Sequence, residues 1–172
     1  MRRRVFLFGG AALLVGVAPR LVSAADGELQ EIVMAGRKDG SLVWFDPPGL
    51  LIRPGTTLRW RNEDRGNSHT ATAYHPDNAD HPLRIPPKAP AFDSGYLLLG
   101  ESYEVALTEP GVYDYYCAPH EMSGMVGRVI VAAAGADDFT DYSPAGLPPE
   151  ALARLPEISD IIARGRVTAG ET

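Results

Sequence analysis

The stretch that most restricts the fold runs from Tyr113 to Val131, where two alternating runs meet across a tight loop. Tyr113, Tyr115 and Cys117 share one face of the first run, and Met125, Gly127, Val129 and Val131 share one face of the second. A period of two on both sides of a short loop specifies strands that each turn one face to a core. The loop holds the only cysteine of the chain, Cys117, with His120 three residues on and Met125 five beyond that. A thiolate, an imidazole and a thioether this close together suit a soft, redox-active metal. Two strands gripping the loop would keep those side chains still.

The rest of the chain carries the punctuation of a β protein. Its 172 residues include 15 prolines and 18 glycines, which favours many short strands over long helices, and the length suits one domain with extensions. Strands are expected over 28–35, 41–45, 50–52, 56–61 and 103–107, besides the pair around the cysteine loop. Within 56–61, Leu58 and Trp60 point inward and Arg59 and Arg61 outward. The polar loop over 62–67 then delivers His69. Between His69 and Tyr96, Pro76, Pro82, Pro86, Pro87 and Pro90 deny the chain an interior strand, so this part reads as a long surface excursion beside the metal end.

Both ends differ in composition from the middle. Residues 1–24 read as a twin-arginine-type signal peptide: Arg3-Arg4-Val5-Phe6-Leu7, an apolar run to about Ala18, and Val22-Ser23-Ala24 as small residues for cleavage. That apolar run is shorter than the ~20 residues of a membrane-spanning helix. A cleaved, periplasmic or otherwise extracytoplasmic protein is expected, rather than a membrane-anchored one. Residues 25–133 form the expected main domain, and 134–172 a linker with a short helical C-terminal extension. Two short helices are expected over 149–155 and 156–163, with Pro149 and Pro156 in their first turns and Gly165 at the stop. Leu152, Leu155, Ile158, Ile161 and Ile162 make an apolar stripe expected to pack on the sheets.

A second imidazole in a trigonal arrangement would make the Cys117 loop a blue-copper electron-transfer site, and His69 in Gly66-Asn67-Ser68-His69-Thr70 is the candidate. Cys117-x-x-His120-x-x-x-x-Met125 followed by Val-Gly-Arg-Val resembles the plastocyanin branch of the cupredoxins, particularly its halocyanin-like prokaryotic members. Phe45-x-Pro47 and Arg53-Pro54-Gly55-Thr56-Thr57-Leu58-Arg59-Trp60-Arg61-Asn62 resemble the family's early strands, and His69 falls where its first ligand falls. The resemblance covers residues 28–133.

This resemblance implies an all-β, cupredoxin-like Greek-key β-sandwich holding one type 1 copper. Cys117, His69 and His120 would make the trigonal plane, with Met125 as a weak axial ligand. Met122 competes for the axial place but lies only two residues after His120, and the resemblance picks Met125. The edge of His120, rimmed by Pro119 and Met122, would be the docking face for redox protein partners. Tyr116 matches the family's position for a second exit route, against the plainer reading of a surface aromatic. Thr70 stands where the plastocyanin group usually has asparagine, which bears on the hydrogen bond tying the two ligand loops together. Pro119 lacks an amide donor for the Cys117 sulfur, which should hold the potential below that of an alanine variant.

The implied function is an exported carrier of single electrons by Cu(I)/Cu(II) cycling. Alternatives are a copper storage or delivery protein, or the electron-entry subunit of a copper enzyme. A catalytic copper centre needs several further histidines, often as His-x-His pairs; this chain has four histidines and no such pair. His75 and His81 read as solvated loop residues rather than a second metal site. Formal charge is −6, and −10 once the four arginines of residues 1–24 are removed. Such acidity argues against a nucleic-acid partner and for a basic or locally basic one. A monomer is expected.

Overall fold

The computed structural model describes residues 28–136 and 138–170; the signal-peptide reading of residues 1–24 lies outside them. Among the described residues nine strands form two facing sheets. β1 (Leu29–Gly36), β2 (Val43–Asp46), β4 (Thr56–Asn62) and β6 (Ser102–Leu107) make the first, in the order β2-β1-β4-β6. β3 (Gly49–Ile52), β5 (Thr72–Ala73), β7 (Gly111–Tyr116), β8 (Val126–Val131) and β9 (Arg166–Val167) make the second, in the order β5-β7-β8-β3-β9. β1 runs parallel to β4 and β3 parallel to β8, while the other neighbours are antiparallel. The two parallel pairs join strands distant in sequence, because parallel neighbours cannot be linked by a tight hairpin and need a longer crossover.

Alternation decides which faces meet. In β4, Thr56, Leu58, Trp60 and Asn62 are buried while Thr57, Arg59 and Arg61 are half-exposed. Trp60 sets its ring 5.3 Å from that of Tyr115 at 76°, and Phe45 meets the same tyrosine edge-on at 4.8 Å. Such edge-to-face pairs are worth about 0.5–1.5 kcal/mol beyond the area they bury. Ile32, Met34, Leu58, Val129 and Met125 complete this inter-sheet core, and Cys117 lies in it.

The second sheet departs from simple alternation. Every residue of β8 and the last five of β7 are buried, so both faces of these strands are covered. The C-terminal extension covers the outer one. α1 (Pro149–Arg154) opens on Pro149 as expected, whereas α2 (Ile158–Arg164) starts two residues after Pro156, which precedes the helix rather than sitting in its first turn; Gly165 ends it with a left-handed φ of 72° as its amide caps Ile161 O. Ile158 and Ile161 pack with Val112, Ile130, Ala132 and Val167. Leu147 and Ala151 pack instead with Tyr74, Tyr116 and Val126, with Leu152 and Leu155 against them. The apolar residues thus serve two clusters rather than one stripe.

Polar residues lock the same layer. Asp114 projects from the outer face of β7 and accepts from Arg84 Nε at 2.9 Å and from Arg128 Nε at 2.6 Å. Arg128 reaches onward to Asp141 and to Pro156 O, and Arg84 donates to Ser143 O.

The segment after His69 is irregular, as its prolines dictate, but only part of it is a surface excursion: residues 75–83 are half-buried or exposed and much of the rest turns inward. Ala71, Ala73, Tyr74, Arg84, Ile85, Ala89, Phe92 and Leu97 are buried. Proline forbids ladder hydrogen bonds but not burial, provided other partners satisfy the backbone. Asn78 Nδ2 donates to Ala73 O and Phe92 O, Arg84 N to Tyr74 O, and Asp114 N to Arg84 O.

Candidate metal centre

Two segments bring the expected ligands together at one end of the sandwich. His69 is held by a two-way backbone pairing with Leu97, at 3.2 Å and 2.8 Å. Asn62, at the end of β4, braces both sides by donating to Asn67 O and Leu97 O. The other loop closes on itself: Cys117 N donates to Met125 O, His120 N to Cys117 O, and Met125 N to His120 O. A single 3-10 turn, Glu121–Ser123, fits between, and Gly124 ends it with a left-handed φ of 77°. That conformation is why the chain can reverse into β8 within so few residues.

Three donor atoms converge. His69 Nδ1 lies 3.2 Å from His120 Nδ1, and Cys117 Sγ lies 3.5 Å and 3.4 Å from the same two nitrogens. The centre of such a triangle is about 2 Å from each corner, close to transition-metal bond lengths to nitrogen and sulfur. Cys117 and His69 are wholly buried and His120 is half-buried. Among the described residues this is the cluster of histidine, cysteine and acidic groups able to hold a metal. Met125 is fully buried in the same core as Cys117, whereas Met122 is 68% exposed. His75 and His81 take no part: His75 lies by Asp77, and His81 by Glu121.

The electrostatics suit a cation. Burial pushes the Cys117 thiol up to about 11, with Thr70 amide donation at 3.3 Å opposing. Burial also lowers both imidazoles, against the pull of Asp64 on His69, so both stay neutral with lone pairs to offer. A buried thiol and two neutral imidazoles exchange one proton for one soft metal ion.

Thr70 performs the tie that its departure from asparagine put at issue. Its Oγ1 accepts from Ala118 N at 2.8 Å while its own amide donates to Cys117 Sγ, so both ligand loops are joined through one residue. Tyr116 fits neither reading offered for it. It is 3% exposed, stacked on Tyr74 at 4.6 Å and against the His81 ring at 4.5 Å, beneath the Leu147–Ala151 layer. Asp64 was not singled out by the sequence at all. Its buried carboxylate sits 3.0 Å from His69 Nε2. Burial raises it, but hydrogen bonds from Asn67, the Gly66 amide and His69 outweigh that and hold it below the usual carboxylate range.

Residues 31–132 match the model of the copper-binding proteins of the plastocyanin/azurin family. The chain belongs to that family. It is 38% identical over 126 residues to the chloroplastic plastocyanin major isoform of Arabidopsis thaliana, covering 72% of this chain and 71% of that protein. It is 30% identical over 126 residues to the pseudoazurin of Methylorubrum extorquens, covering 73% and 75%. Among solved structures, a pseudoazurin from Sinorhizobium meliltoi superposes with a TM-score of 0.59 at 25% identity, over 80% of this chain and 98% of that one. This cupredoxin is therefore a type 1 copper electron-transfer protein, an electron carrier rather than an enzyme, and it takes one copper. Its donor triangle fits that metal on chemistry as well as on size, because a thiolate with imidazoles is the set that copper redox sites use.

Proposed function

We propose that His69, Cys117, His120 and Met125 would hold the copper between them. The carrying observation is the triangle of Nδ1, Nδ1 and Sγ, already closed to edges of 3.2–3.5 Å by the protein alone. Copper supplies the one-electron chemistry. The chain's part is to hold the donors still, so that a change of oxidation state reorganises little. Thr70 joins the loops, its amide donates to the sulfur, and the closed backbone of 117–125 fixes the spacing.

Electrons enter and leave, in this reading, by the half-exposed His120, at a docking face that includes Pro119 and Met122. Tyr96, Leu98 and Leu99 are exposed and flank Leu97, the residue paired with His69, which extends the apolar surface at this end. An exposed apolar patch of this kind marks an association surface. The partners are redox proteins. The carrier acts outside the cytoplasm: residues 1–24 direct export by the twin-arginine route, 25–133 form the copper module, and 134–172 form the layer that covers it. No helix of the described residues is long and apolar enough to cross a membrane.

Copper titration of the mature protein, followed by visible spectroscopy and voltammetry, tests this reading. One equivalent should give an intense thiolate-to-copper absorption with reversible one-electron cycling. A colourless protein that exchanges Cu(I) freely would instead select copper delivery.

A further inference from the structure

Behind His69, on the side away from the donor triangle, lies a carboxylate that copper ligation does not need. Asp64 is 2% exposed in its side chain. Its Oδ1 accepts from Gly66 N at 2.8 Å, and its Oδ2 accepts from Asn67 Nδ2 at 2.8 Å and faces His69 Nε2 at 3.0 Å. Its own amide donates to Asn62 Oδ1 at 2.8 Å, so the same asparagine that braces His69 also seats Asp64. Room for the carboxylate comes from Gly36 on β1, where a Cβ would overlap Asp64 Oδ2. A buried, multiply hydrogen-bonded charge aimed at one ring nitrogen is a costly arrangement unless it does something there.

Its effect follows from the imidazole. An ionised carboxylate only accepts, so the ring must donate from Nε2. A neutral imidazole carries one proton, so Nδ1 is then bare, and it is Nδ1 that faces Cys117 Sγ and His120 Nδ1. A full negative charge behind a ligand also favours the more positive state of whatever the ligand binds, and raises the ligand's basicity. We propose that Asp64 is a positioning residue of the copper centre: it locks His69 as the Nε2–H tautomer and biases the metal toward Cu(II), lowering the reduction potential. This rests on the reading of His69 as a ligand.

Asp64→Asn tests the charge, because the amide oxygen can still accept from Nε2 while the negative charge is gone. The potential of the copper-loaded variant should rise by the equivalent of about tenfold in the Cu(I)/Cu(II) ratio, 59 mV for one electron, with the thiolate-to-copper band kept. A rise of less than about threefold, or a fall, overturns the proposal. The tautomer is read separately in the copper-free wild type from the ring ¹⁵N shifts of His69: a proton on Nε2 is expected, and a proton on Nδ1 overturns the proposal whether or not the variant folds. Wild-type protein that binds no copper would overturn the proposed function instead, while the ring-nitrogen spectrum would still decide whether Asp64 holds His69.

Discussion

Replacing Asp114 by asparagine should unfold this protein earlier without changing its colour. The wild-type carboxylate is fully buried and accepts four N–H groups, from Nε and Nη2 of both Arg84 and Arg128, at 2.6–3.0 Å. Asparagine keeps the shape but removes the charge and turns an NH₂ toward donors. Two buried guanidiniums would then share only Asp141, which is 49% exposed and already 2.7 Å from Arg128 Nη2 but 3.8 Å from that of Arg84. Breaking a buried ion pair by removing one partner costs about 3–5 kcal/mol. At about 2–4 °C per kcal/mol for a chain of this size, Tm should fall by roughly 10 °C. Far-UV circular dichroism melts of the copper-free protein are the assay, since bound metal would add its own stabilisation. Asp141→Ala is the internal comparison and should cost about 1 kcal/mol or less, as a half-exposed pair does. A drop of under about 3 °C for Asp114→Asn, or parity with Asp141→Ala, would refute the claim that the network fastens the extension to the sheet.

Other outcomes follow from the centre itself. Pro119→Ala supplies an amide that the sulfur lacks, so the potential should rise, by about 59 mV for each tenfold change in the Cu(I)/Cu(II) ratio; voltammetry showing a fall or no change counts against it. Thr70→Val strips the acceptor from Ala118 N and leaves that amide without its partner, at a cost of about 1–3 kcal/mol in denaturant melts. Copper uptake must displace the Cys117 proton, which burial holds up to about 11, while the lowered histidines do not compete near neutrality. The apparent affinity should therefore rise about tenfold per pH unit between roughly pH 6 and 8, with about one proton released per copper by calorimetry in two buffers.

Where a segment is buried on one face, the alternation of its residues was enough to read it. Thr56–Asn62 is the clearest case, with Leu58 and Trp60 inward as expected. The closeness of Cys117 to His120 was legible because the two share one short loop. Asp114 and Arg128 were not legible as interior residues, because charges on alternate positions read as a solvated face until something distant covers them. The cover comes from Asp141, Pro156 and the helices beyond them. Asp64 escaped notice for a similar reason: its burial depends on a glycine in another strand, Gly36. The segment after His69 misled because proline limits hydrogen bonding, which a sequence displays, without limiting packing, which it does not.

The roof over Tyr116 has a consequence for traffic. With that aromatic sealed beneath Leu147 and Ala151, the exit by Tyr116 is closed and traffic falls to the proposed His120 doorway. A donor and an acceptor that use the same doorway must take turns. Exchange then proceeds by collision, departure and a second collision, and whichever partner lingers at the threshold slows the other.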